Sequence, residues 1–257
     1  MQQHEQEYVL PVSAERFVRE FDAARSKLCE VRWQAARAQS ASWDGGHYSL
    51  RGHPRPVSVS KAEAWLLALS VDALVAQSVV EIGTGFGYST SWLGLGAMMS
   101  GGRVLSIDDH SEGSLGSTGA EAAVELLTAC RVRDSVSLVD GQSPDDIPGC
   151  AGEAPLDFVF IDGNHNGGHP ERDFRATADQ LADTGVILFH DAFWHSLDRR
   201  NTVHRAVERA LADGFEMLAI DTSCQPVAVS RSRSSLELIR DAFQAAKSLT
   251  LAGSRSR

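Results

Sequence analysis

A chain of 257 residues that is 43% hydrophobic and 23% charged has the make-up of an ordinary globular protein, long enough to bury a sizeable core. Its formal net charge of −10 excludes a nonspecific nucleic-acid binder, which needs a basic face to neutralise phosphates. The four cysteines (Cys29, Cys130, Cys150, Cys224) form no Cys-x-x-Cys pair, so disulfide staples are not expected and a reducing, cytoplasmic location is.

The N-terminus MQQHEQEYVL lacks the basic start and apolar core of a signal peptide. Residues 13–40 then carry a helical pattern, with Phe17, Phe21, Leu28 and Val31 on one face. The Gly/Pro/Ser/aromatic stretch 41–60 reads as a linker or lid. Ser60 can cap a helix from Lys61 to about Ala76, with Glu63 in its first turn. This helix contains the longest apolar run, Trp65 to Val75, which is interrupted by Asp72 and too short to span a bilayer. From there short apolar runs recur at 78–82, 103–107, 135–139, 156–161 and 185–189, separated by helical patterns at 88–99, 119–130 and 171–182. Runs of that length alternating with helices predict βαβ units and a parallel sheet buried on both faces. A helix over about 202–212, two strands (FEMLAI and PVAVSR, turning at Ser223–Gln225) and a last helix over 234–249 complete the chain. The expected architecture is a Rossmann-like, doubly wound α/β domain in three layers over 60–257. An antiparallel C-terminal hairpin strand closes it, and 1–59 form a helical extension.

Ligands of such sheets bind beyond the carboxyl ends of the strands, where strand order reverses. The first strand runs straight into VVEIGTGFGYST (79–90). No Lys-Ser/Thr pair follows its glycines, which excludes a P-loop. Gly83, Gly85 and Gly87 are spaced two and two, unlike the dinucleotide fingerprint, and Tyr88 follows. Glu81, two residues before the first glycine, would repel a pyrophosphate but attract a sulfonium ligand carrying an ammonium group. Asp108, at the end of the next strand, suits a ribose diol, a device that nicotinamide sites share.

With Glu81-Ile-Gly-Thr-Gly-Phe-Gly87 and Asp108 together, the sequence resembles the class I S-adenosylmethionine-dependent methyltransferases over roughly 60–230. The resemblance implies S-adenosyl-L-methionine as cofactor, held by Glu81, Gly83, Thr84, Gly85, Gly87, Ser89 and Asp108. It extends the set to Asp140, Gly141, Gln142 and Ser143 after the third strand, and to Asp162. Gln142 stands where the family usually carries an acid for the adenine amino group; its amide oxygen can accept the same bond.

FIDGNHNGGHPERDF (160–174) and VILFHDAF (186–193) place acids and histidines on the same rim. They resemble the branch that methylates hydroxyl groups of small molecules, some members with a divalent metal. The resemblance implies Asp162 and Asp191 as metal ligands and His165 as general base, with His190 adjacent to the metal. Mg²⁺ prefers oxygen donors; a histidine in the shell favours Mn²⁺, Fe²⁺ or Zn²⁺. Three positions depart from the family: Ala192 replaces an amide of catechol-type members, His190 a glutamate of sugar-modifying ones, and Gly167-Gly168 an aromatic. Without a metal, Asp162 and Asp191 are read as caps of the following helices. The expected function is methyl transfer to a hydroxylated small-molecule acceptor, by family analogy in secondary metabolism, by a homo-oligomer (dimer or higher) without nucleic-acid or membrane partners. Trp33, Trp43 and Tyr48 are candidates for the acceptor pocket. His169, His195 and His204 are read as surface or structural, and Asp173 as an anchor of its helix. Three other readings remain: a cofactor-binding relative with hydroxylase-type chemistry, a nicotinamide-dependent oxidoreductase, and a non-enzymatic interaction module on the same fold.

Overall fold

A computed structural model of the chain describes residues 13–24, 59–110, 116–147, 154–193, 201–222 and 224–255. The rest of the 13–40 helical pattern, the 41–58 loop with Trp43 and Tyr48, and Trp33, Cys29, Cys150, His195 and Ser223 lie outside the described residues.

Helix α1 covers 13–24 and α2 Lys61–Ala73. Strand β1 (Ser78–Ile82) leads through the glycine turn to α3 (Tyr88–Ser100), then to β2 (Arg103–Asp108), α4 (Gly116–Ala129) and β3 (Val136–Asp140). The second half runs β4 (Leu156–Ile161), α5 (His169–Ala178), β5 (Leu181–Phe189), α6 (Val203–Ala212), β6 (Glu216–Ala219), β7 (Val227–Ser230) and α7 (Arg233–Arg255). The seven strands lie in the order β3-β2-β1-β4-β5-β7-β6. The first five are parallel and β7 runs antiparallel to both its neighbours, β5 and β6.

Alternation along each strand divides the core in two, as a sheet covered on both faces requires. Val79, Phe158, Phe160, Val186 and Leu188 join a cluster with residues of α1, α2, α3 and α7. Val80, Ile82, Val159, Ile161, Ile187 and Phe189 join a second, with residues of α5 and α6. Helix α2 is buried from Glu63 through Val71 and packs against α3 and α7. Its start is fixed by a capping box: Ser60 Oγ accepts the Glu63 N–H at 3.3 Å, and Glu63 Oε2 accepts the Ser60 N–H at 2.6 Å. Helix α1 belongs to the same core, because Phe17 and Phe21 stack on one another and both meet Trp92 of α3 edge-on. Among the described residues no helix is long and apolar enough to cross a membrane.

Several boundaries differ from the expectation. Helix α2 ends at Ala73, before Val75 turns left-handed (φ 50°). Helix α5 ends at Ala178 and β5 starts at Leu181, four residues earlier than the apolar run. Its lead-in Ala182-Asp183-Thr184 is partly solvated, which hides it from a hydrophobicity pattern, but Leu181 pairs with Leu156 and the Leu156 N–H is bonded to Gln180 O at 2.8 Å. Helix α7 continues past 249 to Arg255.

The chain leaves β1 outward to β2 and β3, then crosses back to β4 on the other side of β1. The crevice between the carboxyl ends of β1 and β4 is therefore the switch point at which ligands of this architecture bind.

Candidate functional site

The turn after β1 is shaped by close approach. A Cβ on Gly83 (φ 102°) would lie 2.3 Å from the carbonyl oxygen of Asp162, whereas one on Gly85 (φ 51°) would meet nothing within 4 Å. So Gly83 lets the turn press against the end of β4, and Gly85 faces open space where a ligand can approach the backbone. The Gly85 N–H donates to Asp108 Oδ2 at 2.7 Å and the His110 N–H to Asp108 Oδ1 at 2.7 Å, fixing that carboxylate at the rim of the turn.

Glu81 lies beneath the turn with no exposed surface. Its Oε2 accepts from Thr90 Oγ1 and Ser106 Oγ, each at 2.5 Å, and Ser106 Oγ in turn contacts Thr84 Oγ1 at 2.5 Å. Its other oxygen is buried with no hydrogen-bond partner among the described residues. Burial pushes the carboxyl up to about 7, against the pull of the Ser106, Ser89 and Thr90 hydroxyls and with a smaller push from Asp162. The Thr84 and Ser89 side chains, expected at the cofactor, are thus engaged around Glu81.

After β3, Asp140 and Gln142 are exposed and Gly141 and Ser143 partly so. The Gln142 N–H donates to Asp146 Oδ2 at 2.7 Å. Asp173, on α5, is fully buried, and burial raises its carboxyl to about 6 against Ser143, Arg172 and His165.

The second half of the site sits where β4 and β5 end side by side. His190 Nδ1 lies 2.9 Å from Asp162 Oδ1 and 3.5 Å from Asp191 Oδ2. His165 reaches back with Nε2 3.3 Å from Asp162 Oδ1 and Nδ1 3.7 Å from Asp191 Oδ2. Its loop is anchored from α6, since its carbonyl accepts both the N–H and the hydroxyl of Thr202, at 2.7 and 2.9 Å. Burial alone would raise the Asp162 carboxyl, but His190 and His165 overcome it and hold it well below the usual carboxylate range. Burial pulls His190 down while Asp162 and Asp191 raise it more strongly, so it is held as an imidazolium well above its ordinary value. Neither aspartate caps a helix among the described residues: the N-cap residues of α5 and α6 are Gly168 and Thr202.

Asp162, His165 and Asp191 offer three ligand atoms within 4.8 Å of one another, and Asp191 Oδ1 is buried without a hydrogen-bond partner among the described residues. That donor set suits a divalent cation. His190, expected beside this metal, lies with Nδ1 against Asp162 and Asp191 and also belongs to a second group with Glu63 and Cys224, again within 4.8 Å. The sequence reading missed both of these. Glu63 was accounted for as a first-turn acid, and Cys224 has no cysteine or histidine at metal-ligand spacing.

Known proteins share part of this sequence and its fold. Residues 80–192 match a family model described as a methyltransferase domain. Over 106 residues the chain is 38% identical to the catechol O-methyltransferase of Mycobacterium tuberculosis, a match covering 41% of this chain and 44% of that protein. It thus spans less than half the length of that curated relative. Among solved structures, an O-methyltransferase from Bacillus cereus in complex with SAH is 21% identical with a TM-score of 0.57, covering 79% of this chain and 90% of that one. The O-methyltransferase TomG from Streptomyces achromogenes, in complex with SAM, is 21% identical with a TM-score of 0.60, covering 83% and 90%. These likenesses establish a shared fold.

Proposed function

We propose that the chain, whose residues 80–192 match a methyltransferase domain and whose fold is shared with solved O-methyltransferases, is a class I methyltransferase that transfers a methyl group from S-adenosylmethionine to a hydroxyl of a small acceptor. The observation that carries the reading is the contact of Gly83 with the Asp162 backbone. It puts a ligand-facing glycine turn directly against an acid–histidine cluster. The catechol O-methyltransferase relative supports a hydroxyl acceptor.

S-adenosylmethionine, when bound, supplies an electrophilic methyl on a sulfonium, which departs as a neutral thioether. The residues of the chain do the rest. Asp108 accepts the ribose hydroxyls, exchanging the Gly85 and His110 N–H bonds it now holds. Gly85 admits the ligand against the backbone, and Glu81 places negative potential below the cationic end. His165 takes the proton of the acceptor hydroxyl as its oxygen bonds to the methyl carbon, a role suited to an imidazole at neutral pH. Asp162 orients the His165 ring and stabilises the imidazolium that results. A divalent cation on Asp162 and Asp191, with His165 at hand, would lower the pKa of the acceptor hydroxyl. Holding two small molecules in line accounts for much of the acceleration.

The test is a calorimetric titration of the full chain with S-adenosylmethionine and, in parallel, NAD, followed by methyl transfer to catechol with and without chelator. Binding of the first alone, with His165→Ala lowering turnover by about 10²–10⁴ while leaving cofactor affinity within a few-fold, is the expected result. Binding of NAD would overturn the assignment, and unchanged turnover in His165→Ala would move the base elsewhere.

A further inference from the structure

We propose that Glu63, His190 and Cys224 form a divalent-metal site of zinc type, distinct from the Asp162/His165/Asp191 group. The three come from segments far apart in the chain: the first turn of α2, the end of β5, and the turn between β6 and β7. Their ligand atoms lie within 4.8 Å of one another. Oxygen, imidazole nitrogen and thiolate together are a borderline-soft set that favours Zn²⁺ over Mg²⁺ or Ca²⁺.

The hydrogen bonding points at a shared ligand. His190 is 4% exposed, and its Nε2 is buried with no hydrogen-bond partner among the described residues. The carboxylate oxygen facing it, Glu63 Oε2, is 3.6 Å away. That is too long for a hydrogen bond but close to the edge of a metal tetrahedron, about 3.3–3.4 Å for donors bound at about 2.0–2.1 Å. Glu63 itself has one acceptor position left. Its Oε1 takes the Thr222 hydroxyl and the Cys224 N–H (3.2 Å), and its Oε2 takes the Ser60 N–H (2.6 Å). A carboxylate offers about four such positions. The fourth belongs to the oxygen nearest His190.

The other ring nitrogen supports the same reading. His190 Nδ1 is hydrogen-bonded to Asp162 Oδ1 at 2.9 Å. A histidine that donates one N–H to a carboxylate presents its second nitrogen as a lone pair, which is the usual support of a metal-bound imidazole. The capping box explains why α2 begins with Glu63. It does not explain a thiol and an imidazole nitrogen converging on the same carboxylate. Water would complete a four-coordinate shell. The ion would replace the proton that His190 otherwise carries between Glu63 and Asp162, and would tie α2 and the β6–β7 turn to the rim of the site. None of this depends on methyl transfer.

The experiment titrates the metal-free full chain with Co²⁺ alone and reads the absorption spectrum. One equivalent should bind with a sulfur-to-metal charge-transfer band in the near ultraviolet, displaced by Zn²⁺. The band should vanish in Cys224→Ser and survive joint replacement of Cys29, Cys130 and Cys150 by Ala. Glu63→Gln retains the capping box, so its fold is kept; Co²⁺ binding should weaken by about tenfold or more with the band still present. No band in the wild-type chain, or a band that persists in Cys224→Ser, overturns the site and leaves Glu63 and His190 as an ion pair.

Discussion

Glu81 shows what a single residue trades for its function. Its folded carboxyl is held at about 7 against a usual 4.5, so between those pH values the folded chain keeps a proton that the unfolded chain has lost. Stability contributed by this group is therefore greatest below about 4.5 and declines as pH rises to about 7, by about 3 kcal/mol. Glu63 and Asp162 shift the other way, so the term is isolated by comparing the chain with Glu81→Gln. Urea unfolding at pH 5 and pH 8 should show the variant gaining up to about 3 kcal/mol on the wild type over that interval. At pH 8 it should nonetheless bind S-adenosylmethionine about tenfold or more weakly, having lost the charge under the cationic end. A stability difference that does not move with pH would remove the buried charge from the account. The glycines separate in the same way. Gly83→Ala drives a methyl into the Asp162 carbonyl at 2.3 Å and should cost several kcal/mol, read as a fallen melting midpoint. Gly85→Ala meets nothing within 4 Å, should cost only about 1–2 kcal/mol for its left-handed backbone, and should instead weaken cofactor binding. In the sequence the two are indistinguishable members of one spacing pattern, because their difference is set by what β4 brings against them. That Asp162, His165 and Asp191 lie together was legible because each follows a strand within a few residues. Glu63 and Cys224 were not, since only the fold brings them to His190.

At the scale of elements, the buried strands were legible because helices on both faces leave them a continuous apolar run. The start of β5 was not, because Ala182, Asp183 and Thr184 lie at the partly solvated end, where pairing with β4 rather than burial holds the strand. The same end of the sheet carries a side chain that aligns two strands. Asp157 Oδ2, on β4, accepts the backbone N–H groups of both Gln77 and Ser78, at 2.8 and 3.0 Å, as the chain enters β1. Bonds to a charged acceptor that leave two donors unpaired when removed are worth more than neutral ones. Asp157→Ala should cost about 1–2 kcal/mol in denaturant unfolding. Because this end of the sheet is opposite the glycine turn, affinity for S-adenosylmethionine should stay within about twofold. A variant with full stability would mean that water replaces the carboxylate without loss.

The whole molecule places its groups by topology. Strand order turns at β1, so the glycine turn, Asp108 at the end of β2 and the Asp162–His190 pair at the ends of β4 and β5 meet along one rim. A ligand seated there bridges both halves of the sheet and binds only when both are folded, so its binding free energy adds to global stability. At a ligand concentration about 100 times Kd the gain is about 2.7 kcal/mol. For a chain of this size that corresponds to a rise in melting temperature of about 5–10 °C. S-adenosylmethionine should produce that shift in a scanning calorimeter as a single displaced transition. NAD, repelled at Glu81 and lacking the right glycine spacing, should produce none. A shift confined to part of the melting curve would mean that the two halves unfold independently and that the ligand reaches only one of them. Equal shifts with both ligands would mean that the turn selects for adenosine alone, and that the sulfonium end goes unread by Glu81.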